Sequence, residues 1–391
     1  MINTISSFFW IGIAIVVYTY VGYGLIIYIL DNLIGRNKNT DNQANNFYPE
    51  VTLMVAAYNE ERFIESKIAN SLSLDYPADK LNLWIVADGS TDRTVEIAQN
   101  FPTVTTFHSP ERKGKIHAVN RVMKSVKTPI VIFSDANTVL NKEAIKNIAR
   151  HFKDEKVGGV AGEKQIVDNK SDNASGSGEG LYWKYESALK KMDSNLTTAI
   201  GAAGELFALR TELYHETEPD TLIEDFVTSM RIVAKGYRFI YEPEAYAIET
   251  ASATIKDEWK RKVRISAGGI QALVRLPELL NPFRYGLICW QYVSHRVLRW
   301  TLAPLALPVI LITNIFLFNQ SLFYKVCLLG QLAFYSIALL GHLLRDKKIS
   351  IKGFFVPYYF SMMNLSVFAG VLRLIRKQQS VVWEKSERAE S

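Results

Sequence analysis

The order of apolar and polar positions divides this chain before any single residue is considered. Residues 8–30 are almost uninterruptedly apolar and long enough to span a bilayer, and 300–318 and 322–344 repeat that pattern. Residues 353–372 are also apolar, but Pro357, Asn364 and Gly370 interrupt them and favour a re-entrant or broken helix, with a complete span as the alternative. Between these flanks, short β-rich runs alternate with helical periodicity. Strands are expected at 51–57, 83–87, 103–107, 129–134 and 157–161, and helices at 60–72, 91–99, 115–126, 142–152 and 181–192. The Asn/Ser/Gly/Asp-rich stretch 168–180 reads as a loop.

The alternation predicts an α/β domain whose largely parallel sheet has helices on both faces, with ligands gathering beyond the carboxyl ends of the strands. Tyr58, Asp88 and Asp135 fall at three such ends. The expected organisation is an N-terminal transmembrane helix (1–34), the α/β domain (48–270), an interfacial segment (271–298), a C-terminal membrane region (299–377) and a tail (378–391).

Charge adds orientation. Forty-five basic against 39 acidic residues give +6, and much of the excess lies beside apolar stretches, at 256–264, 345–348 and 373–377. That placement suits lipid headgroups and the positive-inside bias rather than nucleic acid, and predicts an outward N-terminus with the α/β domain and tail cytoplasmic. No basic residue precedes 8–30 and no small-residue cleavage site closes it, so a span is expected there rather than a signal peptide. Cys289 and Cys327 stand apart from each other and from any His, which argues against a disulfide framework or a zinc site.

The residues after the strands exclude several chemistries. No Gly-x-Gly-x-x-Gly or P-loop pattern occurs, and the six histidines show no paired spacing. Asp135-Ala136-Asn137 puts two oxygen-bearing side chains at a strand end, where they can hold a hard divalent cation or simply make a turn. Asp88-Gly89-Ser90-Thr91 reads as an anion site or a helix cap, and Glu224-Asp225 as a catalytic pair or a solvated helix start. Arg261 and Arg264 suit a phosphate or a headgroup, and Trp183 and Tyr185 suit packing or sugar stacking.

Six segments in order carry a family resemblance: Val51 to Glu60 (VTLMVAAYNE), Ala87 to Asp92 (ADGSTD), Lys113 to Asn120 (KGKIHAVN), Phe133 to Asn137 (FSDAN), Gly201 to Gly204 (GAAG) and Glu224-Asp225. Together they resemble a membrane-bound glycosyltransferase of family 2, with a GT-A type domain and one N-terminal and two to three C-terminal transmembrane helices. The resemblance implies that Tyr58, Glu60, Asp88, Lys115, Asp135, Gly204, Arg261 and Arg264 meet a nucleotide-sugar donor, with UDP as the preferred nucleotide. It implies Asp135 and Asn137 at a Mg or Mn ion. Asp225 would be the general base of one-step inverting transfer to a lipid-linked or polysaccharide acceptor.

Two positions depart from the family pattern. Ala87 stands where Asp is frequent, and Arg261-Lys262-Val263-Arg264-Ile265 lacks the Trp of the processive Gln-x-x-Arg-Trp motif. A processive, exporting synthase and a catalytically silent nucleotide-sugar sensor therefore stay open on the sequence.

Overall fold

A computed structural model describes residues 2–35, 47–167, 174–250, 254–344, 352–376 and 378. Its polar part is built on one sheet of eight strands: β1 (Val51–Ala57), β2 (Leu81–Asp88), β3 (Val104–Ser109), β4 (Ile130–Asp135), β5 (Val139–Leu140), β6 (Val157–Val167), β7 (Leu206–Arg210) and β8 (Arg238–Thr250). Their order in space is β3-β2-β1-β4-β7-β6-β8-β5. The first four run parallel, β7 is antiparallel to both β4 and β6, and β8 is parallel to β6.

Both faces of the sheet are covered, which is why its central strands read as continuous apolar runs. Leu53, Val55, Ile85 and Ile132 pack on one face with Ile64 and Ile68. Met54, Val86, Val131 and Phe133 pack on the other with Val119, Phe226 and Tyr292.

Helix boundaries differ from the expected ones for local reasons. The helix expected from residue 60 begins as Ile64–Leu72, because Phe63 and Ile64 N–H groups close a turn on the Glu60 carbonyl (both 2.9 Å). The helix expected from residue 91 begins at Thr94, where Asp92 Oδ1 accepts from the Thr94 N–H (3.0 Å). Of the loop expected at 168–180, residues 168–173 lie outside the described ones, while 174 onward is helix (Ala174–Leu196).

Among the described residues three helices are long and apolar enough to cross a membrane: Ile2–Ile34, Leu322–Leu344 and Phe355–Ile375. Large apolar residues are exposed along them (Phe8, Ile11, Leu25, Leu329, Leu343, Leu365), as a lipid-facing surface requires. The span expected at 300–318 is helix Leu302–Leu317, and a 52° bend at Thr301 joins it to helix Leu287–Trp300, which lies mostly in the stretch expected to be interfacial. Pro304, which has no N–H to give to the Trp300 carbonyl, accounts for the break.

The broken helix expected at 353–372 is one continuous helix, Lys352–Ile375. Asn364 and Gly370 act there as packing positions. Asn364 Oδ1 accepts from Tyr20 Oη (2.7 Å), and a side chain on Gly370 would meet the Ala267 backbone at 2.7 Å. Within 271–298, Leu279, Tyr292 and His295 are buried while Phe283 is fully exposed. The basic link 345–348 and the tail from 379 lie outside the described residues.

Candidate active site

Ala57 of β1 pairs with Ala87 of β2, so Tyr58 and Asp88 leave the sheet side by side. Ala87 itself is wholly buried against that neighbour. Asp88 is buried too, and its Oδ2 accepts from the backbone N–H groups of Lys113 (3.1 Å) and Gly114 (2.6 Å). That carboxylate fixes the approach to helix Lys115–Met123. Gly89 (φ +68) lets the two loops touch, since a side chain there would strike the Arg112 backbone. The Arg112 guanidinium in turn lies 3.7 Å from the centre of the Tyr58 ring, a contact with no signal in the sequence. The Glu60 N–H donates to Thr94 Oγ1 (2.7 Å), which ties the loop after β1 to the loop after β2.

β4 ends at Asp135. Beneath the turn beyond it, Lys67 is 1% exposed and its Nζ donates to Ser134 Oγ (2.8 Å), the Thr138 carbonyl (2.9 Å) and Thr138 Oγ1 (3.1 Å). Burial pulls this lysine down to about 7, with Asp135 opposing. Sequence reasoning passed over Lys67, although it shares a helix face with the buried Ile64, Ile68 and Ser71. Asn137 Nδ2 donates to Glu249 Oε1 (3.1 Å), and Glu249 and Glu205 both pair with Lys164.

Lys115 Nζ lies 2.7 Å from Asp135 Oδ1 and 3.4 Å from Glu224 Oε1. Gly204 sits between this lysine and Asp225: a Cβ there would be 3.5 Å from both Lys115 Nζ and Asp225 Oδ2. Helix Glu224–Ala234 carries Glu224 and Asp225 in its first turn, where the helix dipole favours acids. Burial, with the charge of Glu224 next in weight, nevertheless pushes Asp225 up to about 7, and Lys115 opposes. Burial also raises Asp135, against the attraction of Lys115. Burial disfavours the Lys115 charge as well, but Asp135 and Glu224 outweigh it and hold the ammonium above its ordinary value. A carboxylate near 7 beside a fixed cation is suited to accept a proton at neutral pH.

These groups line a cavity of about 880 Å³. Lys115, Asp135, Gly204, Asp225, Arg261 and Arg264 all face it, whereas Tyr58, Glu60, Asp88 and Asn137 are not part of its wall. Arg261 is also held by Glu258 (2.8 Å). Ile265 lines the cavity next to Arg264, and Trp300 lines it from a distant part of the chain. The Trp300 ring meets Phe226, beside Asp225, at 5.2 Å between centroids. Tyr20, Tyr359, Phe360 and Met363 extend the wall to the membrane helices.

A divalent cation at Asp135 would draw on that carboxylate and on the Asn137 side-chain oxygen. Among the described residues no three His, Cys, Asp or Glu side chains are grouped closely enough to hold a metal by themselves. Such a sparse, all-oxygen donor set fits an ion that takes its remaining ligands from water and phosphate. Glu205 and Glu249 add to the negative field at Asp135, which a cation would relieve.

The profile described as "Glycosyltransferase like family 2" matches residues 49–268. A poly-beta-1,6-N-acetyl-D-glucosamine synthase of Staphylococcus aureus (strain COL) is 29% identical over 235 residues, covering 58% of this chain and 56% of that protein. The protein of the same name from Staphylococcus epidermidis matches over the same extent, 29% over 235 residues. The chain thus spans little more than half the length of these relatives. Among solved structures, the mannosyltransferase PcManGT from Pyrobaculum calidifontis, in complex with GDP-Man and Mn2+, superposes with a TM-score of 0.71 at 22% identity, over 95% of this chain and 100% of that one. This last likeness speaks to the fold, which is GT-A. With more than half of its length matched by the family profile, the chain belongs to glycosyltransferase family 2.

Proposed function

We propose that the protein moves a sugar, with inversion, from a UDP-linked donor to a lipid-linked or polysaccharide acceptor at the cytoplasmic face of the membrane. One observation carries the reading: a single cavity holds Asp135, Lys115 and Asp225 at one part of its wall and residues of the membrane helices at another. An acceptor entering from the bilayer side would reach the carboxylates without leaving that space. The relatives named for a polymer of N-acetylglucosamine support a hexosamine as the sugar.

In this reading Tyr58 and Asp88 flank the nucleotide, with Asp88 also holding the 113–114 backbone in place. Asp135 and Asn137 hold the divalent ion, which when bound offsets charge on the leaving diphosphate. Lys115 supplies a second positive charge on the same side, and Arg261 and Arg264 face the diphosphate across the cavity. Asp225 takes the proton from the attacking acceptor hydroxyl, so that the new glycosidic bond forms as the bond to the nucleoside diphosphate breaks. Trp300 borders the acceptor's approach.

Nucleoside diphosphate release by the purified protein, measured over a panel of UDP- and GDP-sugars with Mn2+ or Mg2+, tests the proposal. Metal-dependent release from one donor, lost in Asp225→Asn and Asp135→Ala, is the expected result. Release that persists in both variants, or is absent with every donor and acceptor extract, overturns it. Long polymer made by the purified chain alone would favour a processive synthase.

A further inference from the structure

The same cavity is lined, among the described residues, by donors left without acceptors, the buried Trp183 Nε1 and Arg299 Nε and Nη2, and by a lysine without an ion pair. Lys190, on helix Ala174–Leu196, is 4% exposed and lines the cavity. Of the carboxylates that act on its charge, Glu186 is paired with Arg296 (2.5 Å), Arg299 (3.2 Å) and His295 (3.3 Å) and Glu205 with Lys164, while Asp225 and Glu163 act on it without a direct ion pair. Among the described residues Lys190 makes no ion pair or hydrogen bond, and its ammonium stands 5.8 Å from the centre of the Trp183 ring. Burial holds it below the ordinary lysine value, with Glu186 opposing. Trp183, two turns earlier on the same helix, also lines the cavity, and its buried Nε1 has no hydrogen-bond acceptor.

An ammonium and an indole N–H can only donate. Leaving the indole N–H unmatched out of water costs stability, and burial disfavours the Lys190 charge, so a ligand that completes them brings acceptor oxygens and, for Lys190, negative charge. The rest of the wall narrows the choice. Arg264 and Arg373 supply further positive charge, while Phe360, Met363 and Val367 supply an apolar surface from the 352–375 helix. A molecule anionic at one end and apolar at the other matches both parts.

We propose that Lys190 and Trp183 form an acceptor subsite for the phosphate of an amphiphile, a long-chain lipid phosphate or diphosphate. The assignment rests on the transferase reading of the neighbouring carboxylates and selects among the acceptors that reading allows. A neutral polysaccharide would leave Lys190 without an ion-pair partner, its charge offset only by Glu186, Glu205, Asp225 and Glu163.

Binding of decyl phosphate, decanol and inorganic phosphate to the full-length protein in a non-ionic detergent, measured by calorimetry, tests the subsite. The parent is expected to prefer decyl phosphate to either other probe by about tenfold or more. Lys190→Met should abolish that preference without lowering the melting temperature, because an unpaired buried charge has been removed. Trp183→Phe keeps the ring, removes the N–H, and should weaken decyl phosphate by about threefold. Should Lys190→Met fail to fold, Trp183→Phe decides the matter. Equal binding of decanol and decyl phosphate, equal binding of inorganic and decyl phosphate, or a preference undiminished in the folded variants overturns the proposal. UDP and GDP binding with Mn2+ is read alongside. Its absence in the parent would count against the transferase reading, whereas a lost phosphate preference with nucleotide binding intact would count against the subsite alone.

Discussion

Lys115 Nζ sits 2.7 Å from Asp135 Oδ1, joining the start of one helix to the carboxyl end of β4. Its charge opposes the upward push on Asp135 and on Asp225, so one ammonium moderates both carboxylates.

Lys115→Gln removes that moderation. Asp225 then rises further above 7, and the fraction available as a base at neutral pH falls. The rising limb of the pH–rate profile should move to higher pH, and turnover at neutral pH should drop by about tenfold or more. Nucleoside diphosphate release measured between about pH 5.5 and 9 checks this. A limb that stays in place would separate Asp225 from the proton transfer.

Asp225→Asn should abolish transfer and yet stabilise the protein in alkali. The folded-state value of about 7 lies above the ordinary 3.8, so across that window the folded protein keeps a proton that the unfolded chain has lost. Stability therefore declines as pH rises through the window, and above it the full cost of the buried charge is present. An uncharged Asn escapes that cost. Thermal melts should show the variant above the parent near pH 8, with the difference shrinking towards about pH 4. A variant less stable at both ends would mean that the carboxylate is a structural anchor.

Two glycines of one loop should respond differently to alanine. At Gly201 (φ +94) a Cβ would come within 2.2 Å of the Phe226 ring, combining backbone strain with a clash in the core. Gly201→Ala should cost about 2–4 kcal/mol, seen in denaturant unfolding. At Gly204 the same methyl makes only ordinary 3.5 Å contacts, but with Lys115 Nζ and Asp225 Oδ2. Gly204→Ala should keep the parent's unfolding midpoint and lose most of its turnover. Equal loss of stability in both variants would contradict the geometry.

Much of this arrangement is legible in the chain because it is written in local periodicity. The apolar runs of β1, β2 and β4 mark strands covered on both faces, and their ends carry Tyr58, Asp88 and Asp135. The less legible half depends on distant pairing. β7 and β8 are absent from the expected strands, although β7 separates β4 from β6 and the end of β8 brings Glu249 to Asn137. Trp300 closes Arg296-Val297-Leu298-Arg299-Trp300, which carries the Arg-Trp of the Gln-x-x-Arg-Trp pattern that sequence reasoning placed at 261–265, whereas Lys190 reaches the cavity through tertiary packing alone. Lys67 is an intermediate case, since a lysine on the apolar face of a short helix is visible in the sequence but its acceptors, Ser134 and Thr138, are not.

The final helix also separates composition from placement. Phe355–Ile375 is long and apolar enough to cross a membrane, yet it packs along helix Ile255–Arg275. Tyr359 Oη donates to Glu258 Oε1 (3.0 Å), Ser366 Oγ is 3.0 Å from Ser266 Oγ, and Gly370 lies against Ala267. The partner helix bears Lys256, Lys260, Arg261, Lys262 and Arg264, charges that the hydrocarbon core would exclude at about 2.5–3.5 kcal/mol each. The final helix packs along Leu322–Leu344 as well, and Arg373 near its end lines the same cavity as Asp225; we expect it to stay at the membrane face beside the catalytic domain. A cysteine at Gln378 should therefore react with a membrane-impermeant maleimide from the catalytic-domain side. One at Gln320, between Leu302–Leu317 and Leu322–Leu344, should react from the other side. The assay needs oriented vesicles and a parent in which Cys289 and Cys327 have been replaced. Labelling of both positions from the same side, opposite to the catalytic domain, would establish the last helix as a complete span.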